Sequence, residues 1–482
     1  MTTHNVTRRD FIRASALTAA ALSLPARLWS QVPGANSDIR VAVIGFGGRG
    51  ADHVKGFREL RGVRVVALCD ADSEILEREA KRFRDRNEPI ETYKDVRRLL
   101  ENKNIDAVST ATPNHWHSLI TIWACQAGKD VYVEKPVSHN VFEGRKAVEA
   151  ARKYQRIVQC GTQSRSSTGL QEAMHYLQSG QLGKIRVARG LCYKRRPSIG
   201  KVEGEQPIPP NIDYNLWCGP APMAPLRRKK LHYDWHWVWD TGSGDLGNQG
   251  IHQMDMCRWA LNTYELSPKV LSIGGRLGYE DDGQTPNTQI VIHYYKTAHL
   301  IFEVRGLPAA TAAKEMGKYR GADVGVVVDC EHGYLVIPSY SGATVYDRSG
   351  AQIKKFQGGG DHYENFIKAV RSRKVSDLNA DILEGHLSSA LCHTGNVSYR
   401  LGTQAAPREI VERIKADNEA AESFGRFQEH LYVNGVDLTA TKATIGPLLK
   451  MNPKAERFTN SAQANELLTR HYREPFVVPE KV

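Results

Sequence analysis

The 482-residue sequence has no pair of cysteines at metal-binding spacing; its eight cysteines never form a Cys-x-x-Cys pair and keep no regular interval. That argues against a zinc ribbon or a disulfide framework, so the thiols read as buried core and no metal site is expected. Long apolar runs are also missing. Beyond the N-terminus nothing approaches the ~18 consecutive apolar residues of a membrane span, so no stable membrane anchor is expected. No internal repeat is present, which argues against solenoids and propellers. Clustered charge is scarce as well. The formal net charge is +12, yet Arg227-Arg228-Lys229-Lys230 is the only run of four basic residues, and no nucleic-acid motif accompanies it. The run reads as a solvated loop, and no nucleic-acid partner is expected.

What is present begins with an address. Arg8-Arg9 stand before Phe11-Ile12, a mild apolar run extends from Ala14 to Leu24, and Pro25-Ala26 follow. Charge, apolar run and small residues in that order resemble a twin-arginine signal, read by the translocase that exports folded proteins. The expectation is a periplasmic or extracellular protein with that translocase as a partner and residues 1–36 as signal and linker. A protein exported folded by that route is expected to carry with it any cofactor it uses.

After the linker, Arg40–Ile44 is a β-branched apolar run typical of a buried parallel strand. It runs into Gly45-Phe46-Gly47-Gly48-Arg49-Gly50, and a helix can follow from Ala51 to Arg58. In such a loop Gly45 permits the tight turn, Gly47 lets the backbone approach a pyrophosphate, and Gly50 lets helix and strand pack closely. A second strand, Val63–Cys69, ends at Asp70, twenty residues after Gly50. An acid there bonds the ribose 2′-hydroxyl and favours NAD, whereas Arg49 would accommodate the 2′-phosphate of NADP, the less expected cofactor. Strands at 106–111, 130–134 and 157–160 alternate with helices at 73–86 (capped by Ser73), 117–127 and 142–154. The fold class is therefore α/β, with a doubly wound parallel sheet over residues 37–161. Residues 162–403 then read as a second domain. It holds an irregular Pro-rich and basic stretch (194–234), a helix at 251–261 and successive strands that suggest an open, mostly antiparallel sheet. Residues 404–482 form an extension without a usable motif; wrapping a neighbouring subunit is one role for it.

The stretch Ala111-Thr112-Pro113-Asn114-His115-Trp116-His117, followed by Gly128-Lys129-Asp130-Val131-Tyr132-Val133-Glu134-Lys135-Pro136, resembles the Gfo/Idh/MocA oxidoreductases. The resemblance implies that Thr112, Pro113, Asn114 and His117 approach the nicotinamide-side ribose. It also implies that Glu134 lines the cofactor and Lys135 faces nicotinamide and substrate. The family commonly carries Asp-x-x-x-His in the second domain. Here His252 matches as general base, while position 248 is Asn, and Asp255 is nearby to complete a polar set. Histidine suits removal of a hydroxyl proton near neutrality. Trp235 and His236 read as a sugar-facing aromatic cluster. Arg165 and Tyr193, with the flanking Gln163, Lys194 and Arg195, are further candidates at the crevice. The resemblance implies a homodimer or homotetramer built on the outer face of the second sheet. The expected reaction is hydride transfer between NAD and a sugar, glycoside or polyol. Two alternatives stand beside it: a glycoside hydrolase working by transient C3 oxidation, and a non-catalytic sugar-binding protein with structural NAD.

Overall fold

The computed structural model describes residues 38–482, so the expected export signal lies outside the described residues. The strand β1 (Ile39–Ile44) is buried on both faces apart from Arg40, as its continuous apolar run dictates. It forms the centre of a parallel sheet with β2 (Val63–Cys69), β3 (Glu91–Tyr93), β4 (Ala107–Thr110), β5 (Asp130–Val133) and β6 (Val158–Cys160). The order β3-β2-β1-β4-β5-β6 reverses direction at β1, which opens a crevice at the carboxyl edge between β1 and β4. One face packs Val41 and Val43 against Phe57, Phe83 and, from far along the chain, Phe366. The other packs Ala42 and Ile44 against Leu119, Ile122 and Ala147. The helix Ser73–Arg84 is capped by Asp72, whose side chain accepts from the Glu74 and Ile75 N–H groups, rather than by Ser73 as expected. A carboxylate one residue earlier reaches both orphan donors.

The second sheet has the order β14-β13-β12-β11-β7-β10-β9-β8-β16-β15. Its members include β7 (Ile185–Tyr193), β8 (Lys269–Gly275), β9 (Thr288–Tyr294), β10 (His299–Arg305), β11 (Val324–Cys330), β12 (Gly333–Ile337), β13 (Gly342–Asp347), β14 (Gln352–Gln357), β15 (Thr403–Ala405) and β16 (Ala443–Ile445). Only β7 and β10 run parallel; the other pairs are antiparallel. The edge strand β14 was not anticipated, because Gln352-Ile353-Lys354-Lys355 is exposed and lacks alternation. The helices Thr168–Gln178, Gly250–Ala260 and Ile382–Arg400 cover the inner face. All eight cysteines are buried and unpaired. Among the described residues no helix is long and apolar enough to cross a membrane.

The outer face is where the resemblance placed subunit contacts, and here the chain covers much of it itself. Phe424, Phe427 and Leu431 of the helix Asn418–Tyr432 pack on Val187, Ile273, Ile292 and Ile301. Beside them Arg189 donates to Ser423 Oγ at 2.7 Å and pairs with Glu422 at 2.7 Å. The last eighty residues thus fold onto their own chain. They also reach the first domain, where Phe476 is fully buried with its ring 5.4 Å from Trp116. The Arg97 and Arg473 guanidinium groups lie 5.0 and 4.9 Å from that ring. Replacing Phe476 by Ala is expected to cost about 3–5 kcal/mol in denaturant unfolding of the full chain. A loss below about 1 kcal/mol would show that the tail is not part of this core.

Candidate active site

The crevice begins at the glycine turn. Gly45 has φ +75°, and a Cβ there would sit 2.8 Å from Thr112 Cγ2. A Cβ on Gly50 would stand 1.9 Å from the Gly45 carbonyl oxygen, so neither position admits another residue without a shift of backbone. The helix Arg49–Glu59 opens with no side-chain cap, which leaves its first N–H groups for an anion. At the end of β2, Asp70 accepts from Phe46 N at 3.2 Å and from Asp72 N at 3.0 Å. Burial raises its carboxyl pKa. Gly45, Phe46, Gly47, Gly48, Arg49, Asp70, Thr112, Pro113, Asn114, His117, Glu134 and Lys135 all line one cleft of about 460 Å³. A glycine turn, free helix N–H groups and a carboxylate at the second strand's end fit a dinucleotide's pyrophosphate and ribose diol.

Glu134 anchors the reactive end. Its carboxylate accepts from Arg49 Nε at 3.1 Å, His53 Nε2 at 3.2 Å, Gln163 Nε2 at 2.9 Å and Lys135 N at 3.1 Å. Burial pushes its pKa up, but the His53 bond and the charges of Lys135 and Arg49 outweigh this and hold it well below the usual range. His53 was not anticipated; its only signal is its place one turn after Arg49. Gln163 supports Glu134 and Tyr132 instead of lining the cleft. His117 lines the cleft, yet its Nδ1 faces the Pro136 carbonyl at 2.6 Å and its Nε2 the Thr112 carbonyl at 2.8 Å. It therefore sets the spacing of two site loops.

Lys135 joins the domains. Its Nζ donates to the Asn248 carbonyl at 2.9 Å, with the Asn248 amide oxygen at 3.5 Å. Burial lowers its pKa against the opposing charge of Glu134. Asn248 closes the short helix Gly244–Asn248 and lines the cleft, whereas His252, in the next helix, is buried behind that lining. The His252 ring lies edge-on to Tyr340 at 5.2 Å, and its Nδ1 is buried without a hydrogen-bond partner. Burial, then the Lys135 charge, pushes it down to about 3, so the imidazole is neutral. Trp235 and His236 line the cleft with their rings stacked at 3.6 Å.

Besides Gln163, three expected site residues lie away from the cleft. Asp255 is buried under the site, where Arg165 grips it at 2.7 and 2.9 Å and Ser388 donates at 2.7 Å. Neither Asp255 nor Arg165 is free to meet a substrate, because each saturates the other inside the core. Tyr193 points to the outer face and donates to Glu303 at 2.5 Å. An even number of residues along β7 separates it from buried Val187 on that face, which the sequence alone could not assign.

The stretch read as irregular, 194–234, is a strap across the first domain. Asp213 N donates to Ala71 O at 3.0 Å, Asn211 Nδ2 to Asp72 at 2.8 Å, and His232 Nε2 lies 3.0 Å from Asp72. Trp116 Nε1 donates to the Leu216 and Trp217 carbonyls at 3.1 Å. The strap thus brings Leu216, Trp217, His232 and Tyr233 over the dinucleotide cleft.

Residues 39–162 match the family model Gfo/Idh/MocA, described as oxidoreductase family, NAD-binding Rossmann fold. Residues 175–321 match that family's C-terminal alpha/beta domain. Curated relatives include a glycosyl hydrolase family 109 protein of Shewanella baltica, 30% identical over 207 residues, or 38% of this chain and 45% of that one. An alpha-N-acetylgalactosaminidase of Shewanella oneidensis is 28% identical over the same shares. The chain thus spans less than half the length of these relatives. Among solved structures, the WlbA dehydrogenase of Bordetella pertussis in complex with NADH and UDP-GlcNAcA superposes with TM-score 0.54 at 18% identity, covering 73% of this chain and 94% of that one. At that identity the likeness is one of fold.

Two outcomes test the site. Gly50→Ala is expected to abolish dinucleotide retention, read as cofactor content of the purified protein; full retention would refute the tight turn. His252 has a folded pKa depressed to about 3, so its contribution to stability is complete above about pH 6.5 and is lost as pH falls from there towards 3. Unfolding free energy of the parent protein is therefore expected to fall more steeply between pH 6.5 and 4.5 than that of His252→Gln, by up to about 1.4 kcal/mol per pH unit. Parallel profiles would contradict a buried neutral imidazole.

Proposed function

This chain belongs to the Gfo/Idh/MocA family of NAD-binding oxidoreductases, and we propose that it moves a hydride between a carbohydrate or polyol carbon and a tightly held nicotinamide dinucleotide. The observation that carries the reading is Lys135 Nζ bonded to Asn248 across the mouth of the dinucleotide cleft, one helical turn before His252. When bound, NAD⁺ supplies the hydride acceptor. Lys135, an ammonium with donors to spare, orients the substrate oxygen and stabilises negative charge developing on it. In this reading His252, left a weak base by burial and the Lys135 charge, takes the hydroxyl proton as negative charge developing on the substrate oxygen raises the proton affinity of the imidazole, and Asn248 holds Lys135 in place through its carbonyl. Glu134 keeps the positive end of the site from repelling the nicotinamide. NAD is preferred over NADP because Asp70 accepts from a 2′-hydroxyl and repels a 2′-phosphate, while Arg49 is engaged by Glu134 and Asp52. Trp235 and His236 present aromatic faces to a sugar ring.

The strap supports retention of the dinucleotide, since release requires breaking its bonds to Ala71 and Asp72. Retention suits export by the twin-arginine route, which remains part of the proposal together with a periplasmic or extracellular location. A second reading, glycoside cleavage through transient C3 oxidation, is favoured by the likeness to family 109 proteins. The two readings differ in whether the hydride returns to the product, and the His252 element speaks for lasting oxidation.

Protein purified without added cofactor is expected to show a lasting rise in reduced-nicotinamide absorbance when the right sugar class is supplied. A flat trace with cleavage of a chromogenic glycoside would put the hydrolase reading first. Silence in both assays across sugars, glycosides and polyols would sink both. Lys135→Met is expected to lower the rate about 10²–10⁴-fold with cofactor content unchanged.

A further inference from the structure

At the substrate end of the cleft, among the described residues, two lysines make no salt bridge to a carboxylate. Glu134 is already shared by Arg49 and His53. Asp245 is held bidentate by Arg196, at 2.7 Å from both Nε and Nη2. His252 and His236 are both pushed down to about 3 by burial and are neutral. Lys194 remains, together with Lys135, which feels the Glu134 charge without pairing with it. Lys135 Nζ meets only the carbonyl and amide oxygens of Asn248. Lys194 Nζ meets only the amide oxygen of Gln249, at 3.0 Å.

Lys194 is not a stray surface lysine. It follows the last residue of β7, its backbone N–H donates to the Arg305 carbonyl at 3.0 Å, and its side chain lines the cleft half-buried. Gln249 donates in turn to Tyr340 Oη at 2.6 Å, and Tyr340 stands edge-on to His252. Lys194 is thereby held at a set distance from the proton-accepting imidazole. A partly desolvated ammonium with only neutral acceptors is costly unless a ligand supplies the opposite charge. The oxidised nicotinamide adds a further positive charge at this end, so an anionic ligand group gains from all three.

Resting on the hydride-transfer reading above, we propose that the substrate is a sugar acid, a uronic or aldonic acid, whose carboxylate is bound by Lys194 while Lys135 holds the reacting hydroxyl. The test is calorimetric titration of the holoenzyme with matched pairs, glucose against glucuronate and galactose against galacturonate, alongside the absorbance assay. At least one acid is expected to bind about tenfold or more tightly than its neutral partner, the worth of one charge-assisted bond. Its affinity should fall with added salt, Lys194→Met should erase the preference, and Lys194→Arg should restore it. Equal or tighter binding of the neutral sugars, or a preference that survives in Lys194→Met, overturns the inference. If Lys194→Met does not fold, selectivity and salt dependence in the parent protein decide alone. Reduction of the cofactor by a neutral sugar and not by its acid overturns the acidic substrate but leaves hydride transfer standing. Tight binding of the acid without reduction supports the carboxylate site and counts against hydride transfer.

Discussion

The Lys135 ammonium, bonded at 2.9 Å to the carbonyl of Asn248, ties the carboxyl edge of one sheet to the helices over another. A buried cation is expensive, and its surroundings are arranged around that expense. Glu134 stands next to it in sequence and draws in Arg49 and His53. Asn248 is set where its main chain can serve the ammonium, which a short helix beginning at Gly244, with φ +66°, makes possible. His252 then falls in the following helix, in reach of the same charge and kept neutral by it and by burial. Removing this contact would free the ammonium from the second domain, although His139 Nε2 at 3.1 Å from the Gly242 carbonyl also joins the two halves.

The rest of the chain secures that meeting of domains. The strap crosses from the second domain to Ala71 and Asp72, so it roofs the dinucleotide cleft at the ribose end. The helix His362–Ser372 returns to the first sheet and buries Phe366 beside Val41 and Val43. The C-terminal segment seals much of the second sheet's outer face and then inserts Phe476 beside Trp116. Each is a long excursion that ends in a buried apolar anchor, the kind of contact that offsets the entropy of closing so large a loop. The site is held from three sides by segments far along the chain from the glycine turn.

Much was legible beforehand because it is local. The run Arg40–Ile44, the glycines at 45, 47 and 50 and Asp70 at the end of β2 form within one βαβ unit, where spacing alone dictates who meets the phosphates. The Glu134-Lys135 pair follows a strand end for the same reason. By contrast Arg165, Tyr193 and Asp255 carry the right chemistry and face the wrong way. Arg165 and Asp255, ninety residues apart, found each other in the core, and Tyr193 took the outer parity of β7. His53 and the strap went unread because their partners are distant.

By itself, then, the sequence determined the dinucleotide turn and the parallel sheet around it, and it singled out Lys135 and His252 as candidates for the reactive end. Tertiary structure alone decided which charged groups stay free. Whether an arginine or lysine is neutralised depends on what packs against it. Arg165, Arg196 and Arg49 were taken up by Asp255, Asp245 and Glu134, and at the substrate end of the cleft Lys135 and Lys194 were left without a salt-bridge partner among the described residues. Local pattern reports which groups a chain owns, whereas burial and pairing over long separations set which of them a ligand can still reach.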